Sequence, residues 1–532
     1  MKVLRFPEGF EWGTATAAFQ IEGKKGGRAR SIWDAYCEES GRIMNGDNGD
    51  VACDHYRLYN EDVKIMKDMG LRNYRLSISM PRVLPGASGP PNEDGIAFYN
   101  RLIDCLLAAG ITPCVTLYHW DLPLELQTEY GGWQNKIIIE RFVEYAELCF
   151  QRFGDRVKTW ITHNEPWCAC VLGYGNGEMA PGHTSPSAVE VYLAGHNILV
   201  SHARAVDVYR RNFQPAQKGI IGITLNCNWT EPAHSVDPEK AKKNAEAAER
   251  SVVWNLGWFA DPVYTGDYPL MMRQRCGNRL PEFTAEEKAL LKGSSDFFGL
   301  NHYSTDYAEY DDSGIGHYES HWGTTNSGGF WGDIGVKGSV DPKWEKTDMG
   351  WPIVPWGFKK LLLWIQARYS PKGGIFVTEN GCACEPTPPP GAPADAAVDD
   401  TARIAYFKAY LEEMHNAIQL GADVRAYYAW SFMDNFGEKS AFRKVAIAGW
   451  YRSEKLNMRQ GLKIVSSDMK TPLPLPLFVF YCVLPICEEW AYGYAKRFGI
   501  VHVDYDTLKR TPKSSSKWFS KVLNSNSLEV EG

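Results

Sequence analysis

The run GGIFVTENG at residues 373–381 is the stretch that decides the fold. It rises from a glycine pair through an apolar segment of strand length, and it ends at Glu379 before an Asn-Gly turn signal. A second run of this form, TWITHNEP at residues 159–166, contains Glu165 at its end. A buried unpaired carboxylate is unfavourable, so a carboxylate at a strand tip indicates either a partner or a catalytic role. Two such carboxylates suggest acid–base or nucleophilic work on one bond.

Composition narrows the classes of partner. The chain has 532 residues, a formal net charge of -7 and an isoelectric point near 6.0, and its Lys and Arg residues are scattered. Without a basic patch, neither nucleic acid nor an anionic membrane is an expected partner. Residues 1–7 lack an apolar core of signal-peptide length, which predicts a cytoplasmic protein. The oligomeric state stays open, with a homo-oligomer among the options.

The cysteines do not predict a metal site. Cysteine occurs 13 times without a repeating framework, in a chain large enough to bury its own core, which favours mostly reduced thiols. The pairs Cys168/Cys170 and Cys382/Cys384 have one intervening residue, whereas common zinc sites space paired cysteines more widely. We therefore expect no metal and no cofactor.

Strand-like and helix-like segments alternate along the chain. The predicted strands span residues 10–19, 73–79, 112–118, 159–164, 219–226, 296–300, 375–379 and 424–431. The predicted helices span residues 60–69, 95–109, 138–153, 187–212, 238–256, 355–369, 401–420 and 514–522. Regular alternation implies a parallel sheet, and eight units imply closure. The predicted fold class is α/β, a single (β/α)8 TIM barrel.

A barrel of this kind turns strand ends into candidate site positions, because reactive groups collect where strands end and the following loops begin. Polar or aromatic residues at the predicted strand ends are Gln20, Arg75, His119, Asn164, Glu165, Asn301, Tyr303, Glu379 and Trp430. A lone histidine is more often structural, but the register of His119 with the other strand ends favours a role in the pocket. Aromatic residues make up 13% of the chain, and aromatic platforms suit the flat C–H faces of sugar rings.

Five motifs occur in a fixed order along the chain: FQIEG at 19–23, YRLSIS at 74–79, NEP at 164–166, TENG at 378–381 and WSFMDNF at 430–436. In this order they resemble the motifs of glycoside hydrolase family 1, the retaining β-glucosidases. The resemblance covers nearly the whole chain. Among the branches of the family, WITHNEPWC at 160–168 and LYHWDLP at 117–123 are most similar to the intracellular fungal-type enzymes.

The resemblance implies roles for the two carboxylates. Glu165 would be the general acid and then the general base, and Glu379 the nucleophile that forms a covalent glycosyl-enzyme. Retention of configuration requires carboxyl groups about 5 to 5.5 Å apart, one protonated and one ionised. Arg75 and Tyr303 would keep Glu379 anionic, with Asn301 in the same supporting group. A more apolar setting and the nearby negative charge would keep Glu165 protonated.

The resemblance also implies sugar contacts. Asn164 would bond the sugar 2-hydroxyl, Gln20 and His119 would hold other hydroxyls, and Trp430 would lie under the ring. Tyr303 belongs to the same substrate-binding group. The aglycone pocket would be built from loop residues, namely Trp167, Asn228, Trp322 and Trp331. His163 takes a place often held by Phe or Leu, where packing is favoured over tuning of Glu165.

One large departure from the family follows Phe436. In the family the run Asp-Asn-Phe leads straight into Glu-Trp, but here residues 437–488 separate Phe436 from Glu489 and Trp490. Glu489 would bind O4 and O6 of the sugar, and Trp490 would bind O3. The predicted organisation is therefore one catalytic barrel at 1–436 and 489–523, an irregular insertion at 437–488 after the last strand, and a tail at 524–532. The insertion is either a translated intron or a genuine loop at the pocket mouth.

The resulting functional expectation is a retaining β-glucosidase that acts by double displacement. It would remove terminal non-reducing β-D-glucosyl residues from cellobiose, short oligosaccharides or aryl glucosides. Hydrolysis of 6-phosphorylated glycosides is disfavoured, because Glu489 would repel the phosphate. The alternative from another class is a catalytically impaired sugar-binding homologue whose site the insertion has spoiled.

Overall fold

The computed structural model describes residues 2–86, 89–311, 313, 317–319, 325–326, 328–384, 398–436, 493–494 and 496–531. Eight strands form a closed barrel in which every neighbouring pair runs parallel. The barrel strands are Glu11–Ala15, Asn73–Ser77, Thr112–Tyr118, Thr159–Asn164, Ile220–Asn226, Phe298–Asn301, Ile375–Asn380 and Val424–Trp430. The α/β TIM-barrel prediction is confirmed.

Helices lie between the strands in the sequence, and the longer ones cover the outside of the barrel. They are Ala18–Ile21, Ile32–Glu38, His55–Asp68, Met80–Val83, Glu93–Ala108, Leu124–Tyr130, Ile137–Phe153, Val189–Val208, Gln214–Gln217, Pro238–Val252, Trp258–Thr265, Leu270–Cys276, Ala285–Leu291, Gly329–Ile334, Pro355–Tyr369, Thr401–Gln419 and Ser514–Ser525. The helix Ile137–Phe153 shows why they lie there. It buries Ile138, Phe142, Tyr145 and Cys149 at intervals of three or four residues, which gives it one apolar face.

The seventh barrel strand explains the glycine pair in the opening motif. Every residue of Ile375–Asn380 is buried, as expected for a parallel strand covered on both faces. A Cβ atom at Gly373 would collide with the main-chain carbonyl of Asp296. Gly374 has a φ of +77°, a conformation that glycine adopts without steric cost. The pair therefore lets the chain enter the barrel next to the sixth strand.

The first strand is shorter than predicted. The sequence indicated a strand to residue 19, but the strand ends at Ala15 and residues Ala18–Ile21 form a helical turn. The main-chain N–H of Ala18 donates to the Ser77 hydroxyl at 2.7 Å. A side chain of the second strand therefore takes the place of the main-chain acceptor that a longer first strand would use. This turn carries Gln20 to the rim of the barrel.

Several elements were absent from the sequence prediction. A five-stranded sheet beside the barrel is formed by Trp229–Pro232, Thr305–Tyr310, His317–Glu319, Thr325–Asn326 and Val336–Ser339. Two further strands, Val501–Val503 and Arg510–Pro512, pair with each other. The predicted tail 524–532 is also different, because the last helix reaches Ser525 and Ser527–Val530 pairs antiparallel with Lys2–Arg5.

The predicted insertion at 437–488 lies outside the described residues, but the two flanks of the span 437–492 meet. Asp434 is fully buried and accepts hydrogen bonds from Lys513 Nζ and a terminal nitrogen of Arg497, both at 2.7 Å. The rings of Phe436 and Tyr494 lie 5.3 Å apart between centroids. The two flanks therefore pack against each other.

Cysteine pairing differs in one place from the expected reduced state. Cys382 and Cys384, just after the seventh strand, form a disulfide, and nine other cysteines of the described ranges are free. The spacing that argued against zinc thus accommodates a disulfide. No helix in the part of the chain that the structure describes is long and apolar enough to cross a bilayer.

Candidate active site

Glu379 lies at the carboxyl end of the seventh strand and is 3% exposed. A terminal nitrogen of Arg75, on the second strand, donates to Glu379 Oε1 at 2.5 Å, and the Tyr303 hydroxyl donates to Oε2 at 2.7 Å. Arg75 is held in turn by the Thr378 carbonyl at 3.0 Å and the Thr116 hydroxyl at 3.2 Å. A guanidinium and a phenol on separate oxygens stabilise the ionised carboxylate.

Glu165 follows the fourth strand and has a φ of +46°, a conformation rarely adopted by residues other than glycine. Its main-chain N–H donates to the Thr224 carbonyl of the fifth strand at 2.9 Å. Its side chain is buried and accepts from Asn301 Nδ2 on Oε1 at 2.5 Å and from Cys168 Sγ on Oε2 at 3.0 Å. Both donors are neutral, so they stabilise the ionised form less than the donors at Glu379 do.

One hydrogen-bonded network joins the surroundings of the two carboxylates. The second terminal nitrogen of Arg75 donates to Asn164 Oδ1 at 2.6 Å, and Asn301 Nδ2 donates to the same oxygen at 3.1 Å. Asn301 therefore contacts Glu165 and Asn164, and a side-chain hydrogen bond from Asn301 also acts to lower the pKa of Glu379, in line with its predicted place in the support of that residue. Arg75 and Asn301 both contact Asn164, which brings four strand ends into one cluster.

The electrostatics of the two carboxylates differ. Burial, followed by the negative charge of Glu379, raises the pKa of Glu165 to about 7. Burial also raises the pKa of Glu379, but Arg75 and Tyr303 act against that rise. Since only Glu379 has a cation within hydrogen-bond distance in the described structure, we expect Glu165 to keep its proton to higher pH.

The residues predicted to contact sugar surround this network. Gln20 Nε2 donates to Asn435 Oδ1 and to the Phe436 carbonyl, both at 2.9 Å. His119 stacks on Trp430 with ring centroids 5.8 Å apart. Burial and the charge of Arg75 hold the pKa of His119 well below its usual value, so its neutral Nε2 accepts from Asn164 Nδ2 at 3.0 Å.

Glu489, Trp490 and Trp322 lie outside the described residues. Of the other predicted aglycone residues, Trp167 and Trp331 contact each other edge to face at 6.0 Å between ring centroids. Asn228 uses its Oδ1 to accept the main-chain N–H of Ser304 at 3.1 Å.

His163 has the contacts of a packing residue. Its ring stacks on Phe142 at 4.2 Å between centroids, and its Nε2 lies 3.0 Å from the Ser201 hydroxyl. Burial holds the pKa of His163 well below its usual value, so the ring is neutral. These contacts agree with the packing interpretation of its sequence position.

Sequence reasoning missed three residues of the site. Cys168 was considered only as a metal ligand, although its position three residues after Glu165 at the start of a helical turn was a usable signal. Trp120 donates its indole N–H to the Asn164 carbonyl at 2.9 Å, and Thr378 donates to Asn301 Oδ1 at 2.7 Å. Nothing in the local sequence pattern indicates either of these long-range bonds. Within the described ranges no group of His, Cys, Asp and Glu is arranged to hold a metal ion.

Comparison with known proteins gives a single family. The model of glycosyl hydrolase family 1 matches residues 3–445 and 459–528. The interruption at 446–458 falls within the predicted insertion and is narrower than it. Among curated proteins, "Beta-glucosidase 4" of Oryza sativa subsp. japonica is 41% identical, with 98% of this chain and 96% of the relative covered. "Beta-glucosidase 1B" of the fungus Phanerodontia chrysosporium is 39% identical, with 97% and 85% covered.

Solved structures agree with the sequence comparisons. The crystal structure of the rice Os3BGlu6 β-glucosidase is 37% identical to this chain, covers 99% of both chains and has a TM-score of 0.82. A mutant of that rice enzyme has been solved in a covalent complex with glucose, at 36% identity, 99% coverage of both chains and a TM-score of 0.81. Plant and fungal enzymes match at similar identity, so assignment to the fungal-type branch stays a prediction.

Proposed function

The chain belongs to glycosyl hydrolase family 1, and we propose that it is a retaining β-glucosidase. Its proposed substrates carry terminal non-reducing β-D-glucosyl residues: cellobiose, short oligosaccharides and aryl glucosides. The observation that carries the proposal is the unequal pair of buried carboxylates, one bonded to a guanidinium and one only to neutral donors among the bonds described above. The relatives, which are β-glucosidases, favour an enzyme over an impaired sugar-binding homologue.

In the proposed first step, Glu379 attacks the anomeric carbon from the face opposite the aglycone. The bond between this carbon and the glycosidic oxygen breaks, and Glu165 gives its proton to the departing oxygen. Glu379 suits the nucleophilic role because Arg75 and Tyr303 favour its ionised form. Glu165 suits the acid role because burial and the charge of Glu379 favour its protonated form.

In the proposed second step, water displaces Glu379 from the anomeric carbon. The glycosyl ester consumes the negative charge of Glu379, so the pKa of Glu165 falls and Glu165 becomes a base. It takes a proton from water, the water oxygen attacks the anomeric carbon, and Glu379 leaves as a carboxylate. Two inversions give net retention. The covalent glucose complex of the related rice mutant supports this order of events.

The anomer of the first product tests the function. We expect the protein to hydrolyse cellobiose and 4-nitrophenyl β-D-glucoside, and proton NMR at early times to show β-glucose before mutarotation. The 4-nitrophenyl α-D-glucoside is the matched control and should not react. Early accumulation of α-glucose would contradict retention, and no turnover of any β-glucoside would contradict the enzymatic proposal.

The pH dependence of kcat/KM tests the role of Glu165. Because glycosylation needs Glu165 protonated and its pKa is raised to about 7, kcat/KM for 4-nitrophenyl β-D-glucoside should fall as pH rises through this value. The 2,4-dinitrophenyl glucoside is the control, since its leaving group departs with little protonation and its alkaline limb should be shallower. A profile that stays flat to pH 9 for both substrates would contradict the assignment.

A further inference from the structure

The side-chain amide of Asn301 has two ends with opposite hydrogen-bonding roles. Its Nδ2 donates to Glu165 Oε1 at 2.5 Å and to Asn164 Oδ1 at 3.1 Å. Its Oδ1 accepts from the Thr378 hydroxyl at 2.7 Å. The two ends of an amide have nearly the same shape, so only hydrogen-bond partners decide which end faces Glu165.

Thr378 is in a position to decide that orientation. It immediately precedes Glu379 on the seventh strand and is fully buried. The Thr224 hydroxyl donates to Thr378 Oγ1 at 3.2 Å, which leaves the single hydroxyl proton of Thr378 for Asn301. A hydroxyl that donates its proton requires an acceptor, and Oδ1 is the acceptor end of Asn301.

We propose that Thr378 is a positioning residue that fixes the amide of Asn301, so that Nδ2 faces Glu165 and Asn164. The inference rests on the proposed function of Glu165 as the acid and base of the reaction. With the amide reversed, Oδ1 would face two acceptor oxygens, Glu165 Oε1 and Asn164 Oδ1. The acid would lose a donor, and the asparagine expected to bond the sugar 2-hydroxyl would lose one of its contacts.

The sign of the electrostatic consequence follows from the contacts. Donation by Asn301 stabilises the carboxylate form and lowers the pKa of Glu165 against the effect of burial. An amide oxygen in that place repels the carboxylate and accepts from the carboxylic acid, so the pKa of Glu165 rises. Loss of the Thr378 hydroxyl should therefore move the alkaline limb of kcat/KM to higher pH while lowering its plateau.

The test compares Thr378→Val with Thr378→Ser. The valine variant keeps the shape but has no donor, and we expect its plateau kcat/KM to fall about tenfold, with the alkaline limb displaced upward. The serine variant retains a hydroxyl, so its plateau kcat/KM and the pH of its alkaline limb should both be close to those of the wild type. Thr162→Val is the matched control, because Thr162 is a buried barrel threonine whose hydroxyl contacts His202 rather than Asn301. The Thr162→Val variant should keep the alkaline limb of kcat/KM at the wild-type pH.

A double-mutant cycle with Asn301→Ala separates positioning from general damage to the core. If Thr378 acts through Asn301, then Thr378→Val should add little further loss in the Asn301→Ala background. Full additivity, or a lower plateau with an unmoved limb, would overturn the inference. If Thr378→Val does not fold, Thr378→Ala carries the same cycle. Unchanged turnover of cellobiose in Glu165→Gln would instead overturn the proposed function itself.

Discussion

Replacing Glu379 with alanine is expected to lower kcat for β-glucosides by a factor on the order of 10⁴ or more, because the covalent step loses its nucleophile. Truncation leaves the buried guanidinium of Arg75 without its carboxylate, which should cost about 3 to 5 kcal/mol of stability. Arg75 keeps its bonds to Asn164, Thr116 and the Thr378 carbonyl, and we expect the variant to fold. Steady-state kinetics with 4-nitrophenyl β-D-glucoside measures kcat, and circular dichroism measures whether the variant is folded.

Azide distinguishes a lost nucleophile from general damage. A small anion that fills the space left in Glu379→Ala attacks from the same face once, so we expect the product to be an α-glucosyl azide from an activated glucoside. Glu165→Ala is the matched control. It keeps Glu379 as nucleophile, so azide should replace water in the second step and give the β-glucosyl azide. The same anomer from both variants would contradict the proposed division of roles.

Replacing Asp434 with asparagine is expected to cost about 3 to 5 kcal/mol of stability, the range for breaking a buried ion pair. The carboxylate of Asp434 and the ammonium group of Lys513 form an ion pair in which both side chains are fully buried. Arg497 and His502 also lie within ion-pair distance of Asp434. An asparagine leaves Lys513 without a buried counter-charge at that contact. Thermal unfolding followed by circular dichroism should show a loss of several degrees.

The loss of stability in Asp434→Asn should depend on pH. Against the effect of burial, Lys513 and Arg497 hold the pKa of Asp434 well below its usual range. The stability difference between wild type and Asp434→Asn should be complete above the unfolded pKa of about 3.9 and should shrink as pH falls further. Asp423→Asn, at the exposed pair with Arg425, is the matched control and should change stability little. Equal effects at both positions would contradict the argument.

The barrel itself was predictable because its signals are local. The fourth strand, Thr159–Asn164, and the helix Pro355–Tyr369 begin and end where the sequence pattern placed them. The strand is followed by Pro166, and the helix begins at a proline and repeats apolar residues at helical spacing. The five-stranded sheet was missed because its strands are as short as two residues and pair across long stretches of sequence.

The site was predictable only in part. Strand-end position and the family motifs pointed to Glu165, Glu379 and Arg75, because barrel topology brings strand ends together. The bonds of Arg75 and Tyr303 to Glu379 were expected from the resemblance. The bonds of Cys168 to Glu165 and of Thr378 to Asn301 were not predictable. Thr378 contacts Asn301 from another strand, and such a pairing depends on side-chain orientation in the closed barrel. The first strand is shorter than predicted for a similar reason, since the Ser77 hydroxyl of the second strand accepts a hydrogen bond from the main-chain N–H of Ala18.

The buried carboxylate of Asp434 connects the two sides of the span 437–492 without a covalent bond. Main-chain N–H groups of Gly499 and Val503 also donate to it, so the polypeptide after the span 437–492 is attached by polar bonds to the segment that follows the eighth strand. A backbone nick within that span would therefore leave two fragments held together without a peptide linkage.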